Sequence, residues 1–209
     1  MEQAIHVSIS AYNFDQILNK GEFKDTYFAG LSYYLKKTGF LVHESDEVVS
    51  DMYTKPSKSF ISFIKENISK EAIQKNKANK KEITNIIFSN LKAKIILEKY
   101  IHNEVQKSRE KFIQKNLKKK IIFADIPLLL ENKLEKKFDL VVCIISSKNN
   151  RTQRVLKKKK FTKKILNKIF SAQTSDKERR RRSQIIINNN KTKKDFIFSA
   201  EKALIGLLK

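Results

Sequence analysis

The sequence predicts an α/β fold with a doubly wound, parallel sheet, and three observations carry that expectation. Short apolar runs alternate with stretches of helical periodicity, the pattern of successive βαβ crossovers. Two of the runs, 121–124 and 140–145, are apolar at every position, as in strands buried on both faces. The length of 209 residues suits one sizeable α/β domain with a small insertion.

The elements follow in chain order. AIHVSIS (4–10) reads as the first strand, TYFAGLSYYLKK (26–37) as a helix and GFLVHES (39–45) as the second strand. EVVSDMY (47–53) opens another helix, for which Ser45 or Asp46 could supply the N-cap. From about Ser57 to Asn116 helix signals dominate, in SFISFIKENI (59–68) and a long stretch from about Glu82 to Lys115, so this segment is expected as a helical insertion. KIIFAD (120–125) is the next strand. PLLLENKLEKK is expected as a helix with Pro127 in its first turn, where the missing proline N–H costs nothing. FDLVVCIIS (138–146) and QIIINN (184–189) bring the sheet to about five strands. NRTQRVLKKKK and KKILNKIFSAQ read as helices between those two, and KDFIFSAEKALIGLL as the last helix.

Composition narrows the function. No apolar run approaches the ~18–20 residues of a membrane helix, so no membrane partner is expected. The single Cys143, inside LVVCII, excludes an intrachain disulfide and reads as a core thiol in a reducing cytoplasm. His6 and His43 lie in apolar strands and read as core residues, and no His/Cys/Asp spacing makes a metal cage. The net charge is +23 but uneven. Residues 1–60 hold 6 Lys/Arg against 8 Asp/Glu, whereas 148–194 hold 18 against 2. A segment at +16 suits a polyanion or a phosphorylated substrate. The RRRR (179–182) and KKKK (157–160) runs raise RNA binding, but no aromatic residues interleave with them as a stacking platform requires, so nucleic acid ranks a distant third.

In open parallel sheets ligands bind beyond the carboxyl ends of the strands, so acids placed there are informative. Asp125 ends one strand, and Glu44, Ser45 and Asp46 end another. Such carboxylates can accept a proton from an attacking hydroxyl or hold Mg²⁺ through water. Capping is an equally good reading of Asp46.

DIPLLLEN (125–132), FDLVVCIIS, RTQRVLKKKKFTKK and SAQTSDKERRRRSQIIINNN together resemble, in order and spacing, the second half of the dephospho-coenzyme A kinase family. Upstream, LKKTGFLVHESDEVVSDMY (35–53) is similar to the family's strand and D-A-D segment, and ITNIIFSNLKAKIILEKYIHNEV (83–105) to its helical stretch. The likeness covers about residues 31–205.

It implies a three-layer, Rossmann-like P-loop kinase fold. The nucleotide-binding core would be 1–56 and 117–209 with a basic lid at about 148–183, and 57–116 would be a helical substrate-binding insertion. It implies transfer of the ATP γ-phosphoryl to the ribose 3′-hydroxyl of dephospho-coenzyme A, with ATP and Mg²⁺ as cofactors. By the resemblance, Asp46 is the base for the 3′-hydroxyl, and Asp125 meets Mg²⁺ or substrate. Glu44, His102 and Arg154 are substrate-binding. Lys158, Lys159, Arg179 and Arg182 belong to the phosphate-gripping lid, and Asn189 lies near the adenine.

One family feature is missing. No Gly-Lys-Ser/Thr occurs anywhere in the chain; Tyr27-Phe28-Ala29 stand in its place, after a rewritten stretch, AYNFDQILNKGEFKD (11–25). Aromatic residues cannot form the glycine-dependent amide nest that wraps phosphate. The second reading is therefore a relative that binds coenzyme A precursors or adenine nucleotides without turnover.

Overall fold

The computed structural model describes residues 5–11, 29–157 and 162–208. Most of the rewritten stretch, together with Lys158 and Lys159, therefore lies outside the described residues. The chain forms two compact units, one over 1–43 and 116–209, the other over 44–115.

The first unit is built on a sheet of β1 (Ile5–Ala11), β2 (Val42–Glu44), β5 (Ile121–Asp125), β6 (Leu140–Ile145) and β7 (Ile185–Asn188), in the order β2-β5-β1-β6-β7. β1 pairs in parallel with β5, from Ile5↔Ile121 to Ile9↔Asp125, and with β6, from Val7↔Leu140 to Ala11↔Ile144. β6 pairs in parallel with β7. The strand order reverses about β1, so its carboxyl end is the topological switch point of the sheet.

The uninterrupted apolar runs have a direct physical cause. Ile121, Phe123, Val142 and Ile144 point to one face, where they pack with Val7, Ile187, Leu31 and Leu35 of α1 (Ala29–Lys37) and Phe196, Ala200 and Leu204 of α9 (Lys193–Leu208). Ala124 and Val141 point to the other and pack with Ile126, Leu129 and Leu130. Both faces are covered, so alternation has no use here. At about 1.5–3 kcal/mol for each fully buried large side chain, this double layer dominates the stability of the unit. Gly39, at φ +91, ends α1, and the Phe40 N–H then donates to Leu35 O at 2.9 Å, a Schellman closure only glycine forms without strain.

One expected helix is absent. PLLLENKLEKK folds as turns over 127–133 followed by a single 3-10 turn, Glu135–Lys137. Leu128 and Lys133 both take φ 54, which breaks any helical path. Burial of Leu129 and Leu130 against β5 and β6, with the side-chain bonds of Glu131 described below, outweighs the helical propensity of the leucine run.

After β6, α6 (Lys148–Lys157), α7 (Lys163–Ala172) and α8 (Asp176–Arg181) lead into β7. Val155 and Leu166 join α6 to α7, with Leu156, Ile169 and Phe170 packed around them.

The second unit holds α2 (Ser45–Thr54), α3 (Lys58–Asn67), a hairpin of β3 (Ile73–Gln74) and β4 (Lys77–Ala78), α4 (Lys80–Ser89) and α5 (Leu91–Lys115). Its core is Phe60, Ile64, Ala72, Ile83 and Leu97. The hairpin went unforeseen because its turn residues, Lys75 (φ 48) and Asn76 (φ 59), lack the glycine that usually marks a two-residue turn with both centres left-handed. The long stretch from Glu82 divides at Asn90, which is extended and accepts from the Ala93 N–H at 3.1 Å as the cap of α5.

Candidate functional site

At the carboxyl edge of the sheet, β5 ends on Asp125, in register with Ile9 of β1. Ser32, buried in the first turn of α1, donates from Oγ to Asp125 Oδ2 at 2.9 Å. A half-buried carboxylate is thus held in place beside the switch point by the helix that follows β1. Sequence reasoning missed Ser32, a small polar residue at the start of a helix that pairs with a partner 93 positions away.

A second cluster forms where β6 and β7 end. The Asn190 side-chain oxygen accepts from the Ser147 backbone N–H at 2.7 Å and from Ser146 Oγ at 3.2 Å. Asn150 Nδ2 donates to the Asn190 carbonyl at 3.0 Å, and Ser147 Oγ caps α6 by accepting from the Asn150 N–H. Arg154, one and a half turns into α6, donates from Nη2 to the Asn189 carbonyl at 3.0 Å. The structure therefore brings Arg154 and Asn189 together. Asn189 itself is fully buried, and both polar atoms of its carboxamide lack a hydrogen-bond partner among the described residues. A buried amide in that state offers one donor and one acceptor side by side.

Three other arginines are engaged in ion pairs beyond their own helix. Arg151 grips Asp176 with two bonds, of 3.0 and 3.1 Å, and stacks over Phe170, tying α6 to the start of α8. Arg179 is wholly buried; its Nη2 donates to Glu131 Oε1 at 2.6 Å and its Nε to the Thr174 carbonyl at 3.0 Å. Glu131 Oε1 also accepts from the Thr174 N–H at 2.9 Å. Arg182 bonds Glu135 through both Nε and Nη2, and also donates to the Leu130 carbonyl at 2.9 Å. Burial pushes the Cys143 thiol up, more than the neighbouring Arg179 pulls it down, so it stays a neutral core group.

In the second unit, Glu44 is the N-cap residue of α2 but makes no side-chain capping bond, and Ser45 and Asp46 lie within the helix. Asp46 is exposed in the first turn, where the helix dipole favours a carboxylate. His102 is exposed on α5. Beside α2 lies an aromatic group in which Tyr53 meets Phe60 edge-on at 5.4 Å and Phe63 stacks on Tyr100 at 4.0 Å. No group of three or more His, Cys, Asp or Glu residues forms a metal cage among the described residues.

The model of the dephospho-CoA kinase family matches residues 29–195. Among curated proteins, the dephospho-CoA kinase of Rickettsia bellii is 31% identical over 140 residues, 67% of this chain and 70% of that protein. The dephospho-CoA kinase of Bartonella quintana is 30% identical over 136 residues, 62% of this chain and 68% of its own length. Among solved structures, the dephospho-CoA kinase of Campylobacter jejuni superposes with a TM-score of 0.71 at 18% identity, covering 97% of this chain and 96% of its own. A protein of Thermus thermophilus gives the same TM-score and identity over the whole of both chains. These structural likenesses establish the α/β fold.

Proposed function

The chain belongs to the dephospho-CoA kinase family, and from that premise we propose that it phosphorylates the ribose 3′-hydroxyl of dephospho-coenzyme A with the γ-phosphoryl of ATP. The observation that carries this reading is the family match across 29–195, a span that includes both strand-end acids, the basic helices and β7. In the reaction the 3′-oxygen bonds the γ-phosphorus, and the bond from that phosphorus to the β,γ-bridging oxygen breaks. ADP leaves, and the hydroxyl proton passes to the Asp46 carboxylate. Asp46 is exposed in the first turn of α2, open to an acceptor hydroxyl.

Phosphoryl transfer depends on positioning and on neutralising charge over the phosphate oxygens. Arg154, Lys158 and Lys159 supply cations for that work. Arg179 and Arg182 act as positioning residues, since their bonds to Glu131 and Glu135 hold α8 and the approach to β7 in place. The Asn189 carboxamide, with donor and acceptor both unspent among the described residues, matches an adenine edge. Glu44 and His102 serve the acceptor, on the helical unit.

Mg²⁺ takes one or two carboxylates and draws its other ligands from water and nucleotide phosphates. The lone Asp125 carboxylate, oriented by Ser32, is a donor set of that kind. When bound there, the ion neutralises charge on the phosphates. The Cys143 thiol fits a reducing cytoplasm, where ATP is also found.

A coupled assay of ADP release with dephospho-coenzyme A tests the reading. Asp46→Asn is expected to lower kcat by about 10²–10⁴-fold while leaving melting temperature and dephospho-coenzyme A binding intact. A wild-type chain that binds dephospho-coenzyme A yet never consumes ATP refutes it.

A further inference from the structure

Lys80 opens α4, and its ammonium stands 5.2 Å from the centroid of the Tyr53 ring. It is half-buried. Its ammonium forms no ion pair and no hydrogen bond among the described residues and faces the Tyr53 ring. Elsewhere Arg151 meets Asp176, Arg179 meets Glu131 and Arg182 meets Glu135. A partly desolvated cation facing only an aromatic ring has given up water without gaining an anion.

The position of this cation relative to Asp46 gives it a meaning. Asp46 and Tyr53 are seven residues apart in α2, so they share one helix face, two turns apart. That separation is about 10 Å along the axis. In dephospho-coenzyme A the diphosphate lies five to seven bonds from the ribose 3′-oxygen, a contour of roughly 7–11 Å at ~1.5 Å per bond. A ribose whose 3′-hydroxyl meets Asp46 can therefore set its diphosphate near the end of α2 where Lys80 stands.

We propose that Lys80, set against Tyr53, is the subsite for the diphosphate of the acceptor substrate, and that α2 measures the distance from this anchor to the reacting hydroxyl. The inference rests on the acceptor and on the role of Asp46 given above. Lysine suits the task as a flexible point charge able to follow either phosphate. The Tyr53 ring limits where the ammonium can go. The acceptor is then bound by its non-reacting diphosphate, which lets binding energy orient the 3′-hydroxyl.

The test is calorimetric titration of wild type, Lys80→Met and Lys80→Arg with dephospho-coenzyme A and, separately, with ATP. Methionine keeps an apolar stem over Tyr53 while removing the charge. Lys80→Met is expected to weaken dephospho-coenzyme A binding about 10- to 100-fold, the loss of one charged contact to phosphate. ATP affinity should stay within about threefold, and KM for dephospho-coenzyme A should rise in parallel with Kd. Lys80→Arg should recover most of the loss. Lys80→Ala provides a second charge-deleted variant and must show the same selectivity. Unchanged dephospho-coenzyme A affinity in Lys80→Met, or an equal fall in ATP affinity, overturns the subsite. A wild type that turns over while Lys80→Met binds normally sinks the subsite alone. A wild type that neither binds nor phosphorylates dephospho-coenzyme A sinks the kinase reading and the subsite together.

Discussion

Arg179→Met separates a structural arginine from a phosphate-binding one. The guanidinium is fully buried and lies 2.6 Å from Glu131, whose side chain is 15% exposed. Methionine roughly fills the space but leaves Glu131 without its cation and the Thr174 carbonyl without its donor. Removing one member of a buried ion pair costs about 3–5 kcal/mol, because the remaining charge is stranded. Glu131 keeps the Thr174 N–H and some contact with water, which places the cost near the lower end, about 3–4 kcal/mol. For a domain of 150–250 residues each kcal/mol moves Tm by about 2–4 °C, so the expected fall is roughly 6–16 °C. Circular dichroism melts read it directly. Calorimetric titration with ATP, well below the lowered Tm, should show affinity within a few-fold of wild type. The double variant Glu131→Gln/Arg179→Met, which removes the stranded charge, should regain at least half of the stability. A melt within 1–2 °C of wild type, or ATP affinity lost without loss of stability, refutes the assignment of Arg179 to the frame.

Ser32→Ala removes the donor that orients Asp125. It is expected to lower kcat/KM about tenfold with little change in Tm, and restored activity in Ser32→Thr would identify the hydroxyl as the cause. Burial raises the Glu135 pKa, but hydrogen bonds from Arg182, a backbone hydrogen bond and the charges of Arg182 and Lys136 together more than offset this and leave it below its usual 4.5. A carboxylate whose pKa is depressed on folding stabilises fully above its unfolded value and loses that contribution as pH falls through the folded value. Tm should therefore drop below about pH 4.5, and Arg182→Met should flatten that part of the profile. Burial holds the Lys80 ammonium below the ordinary lysine value of 10.5. Diphosphate anchoring needs the charged form, so dephospho-coenzyme A affinity should decline with rising pH before free lysine titrates. That decline should be absent in Lys80→Met.

The sheet was legible in the sequence because its signal is local. Runs such as LVVCII are apolar throughout since both faces of the strand are covered, and β1, β2, β5, β6 and β7 lie where those runs predicted. The acid at the end of IIFAD was equally legible, as a strand must stop somewhere and a carboxylate there faces water or ligand. The fate of PLLLENKLEKK was not. Its leucines read as helix, but the pull of the core on Leu129 and Leu130, and of Arg179 on Glu131, comes from other parts of the chain. The same separation hid what the arginines do. In the string RRRR all four look alike, yet Arg179 is buried against Glu131, Arg181 pairs within its own helix with Glu178, and Arg182 reaches back to Glu135. Which segments are strands, and which carboxylates end them, can be read along the chain, because burial of a strand is written in its own residues. Which cations are paired with carboxylates was settled by tertiary packing, because pairs such as Arg179 with Glu131 join residues that the chain order keeps apart.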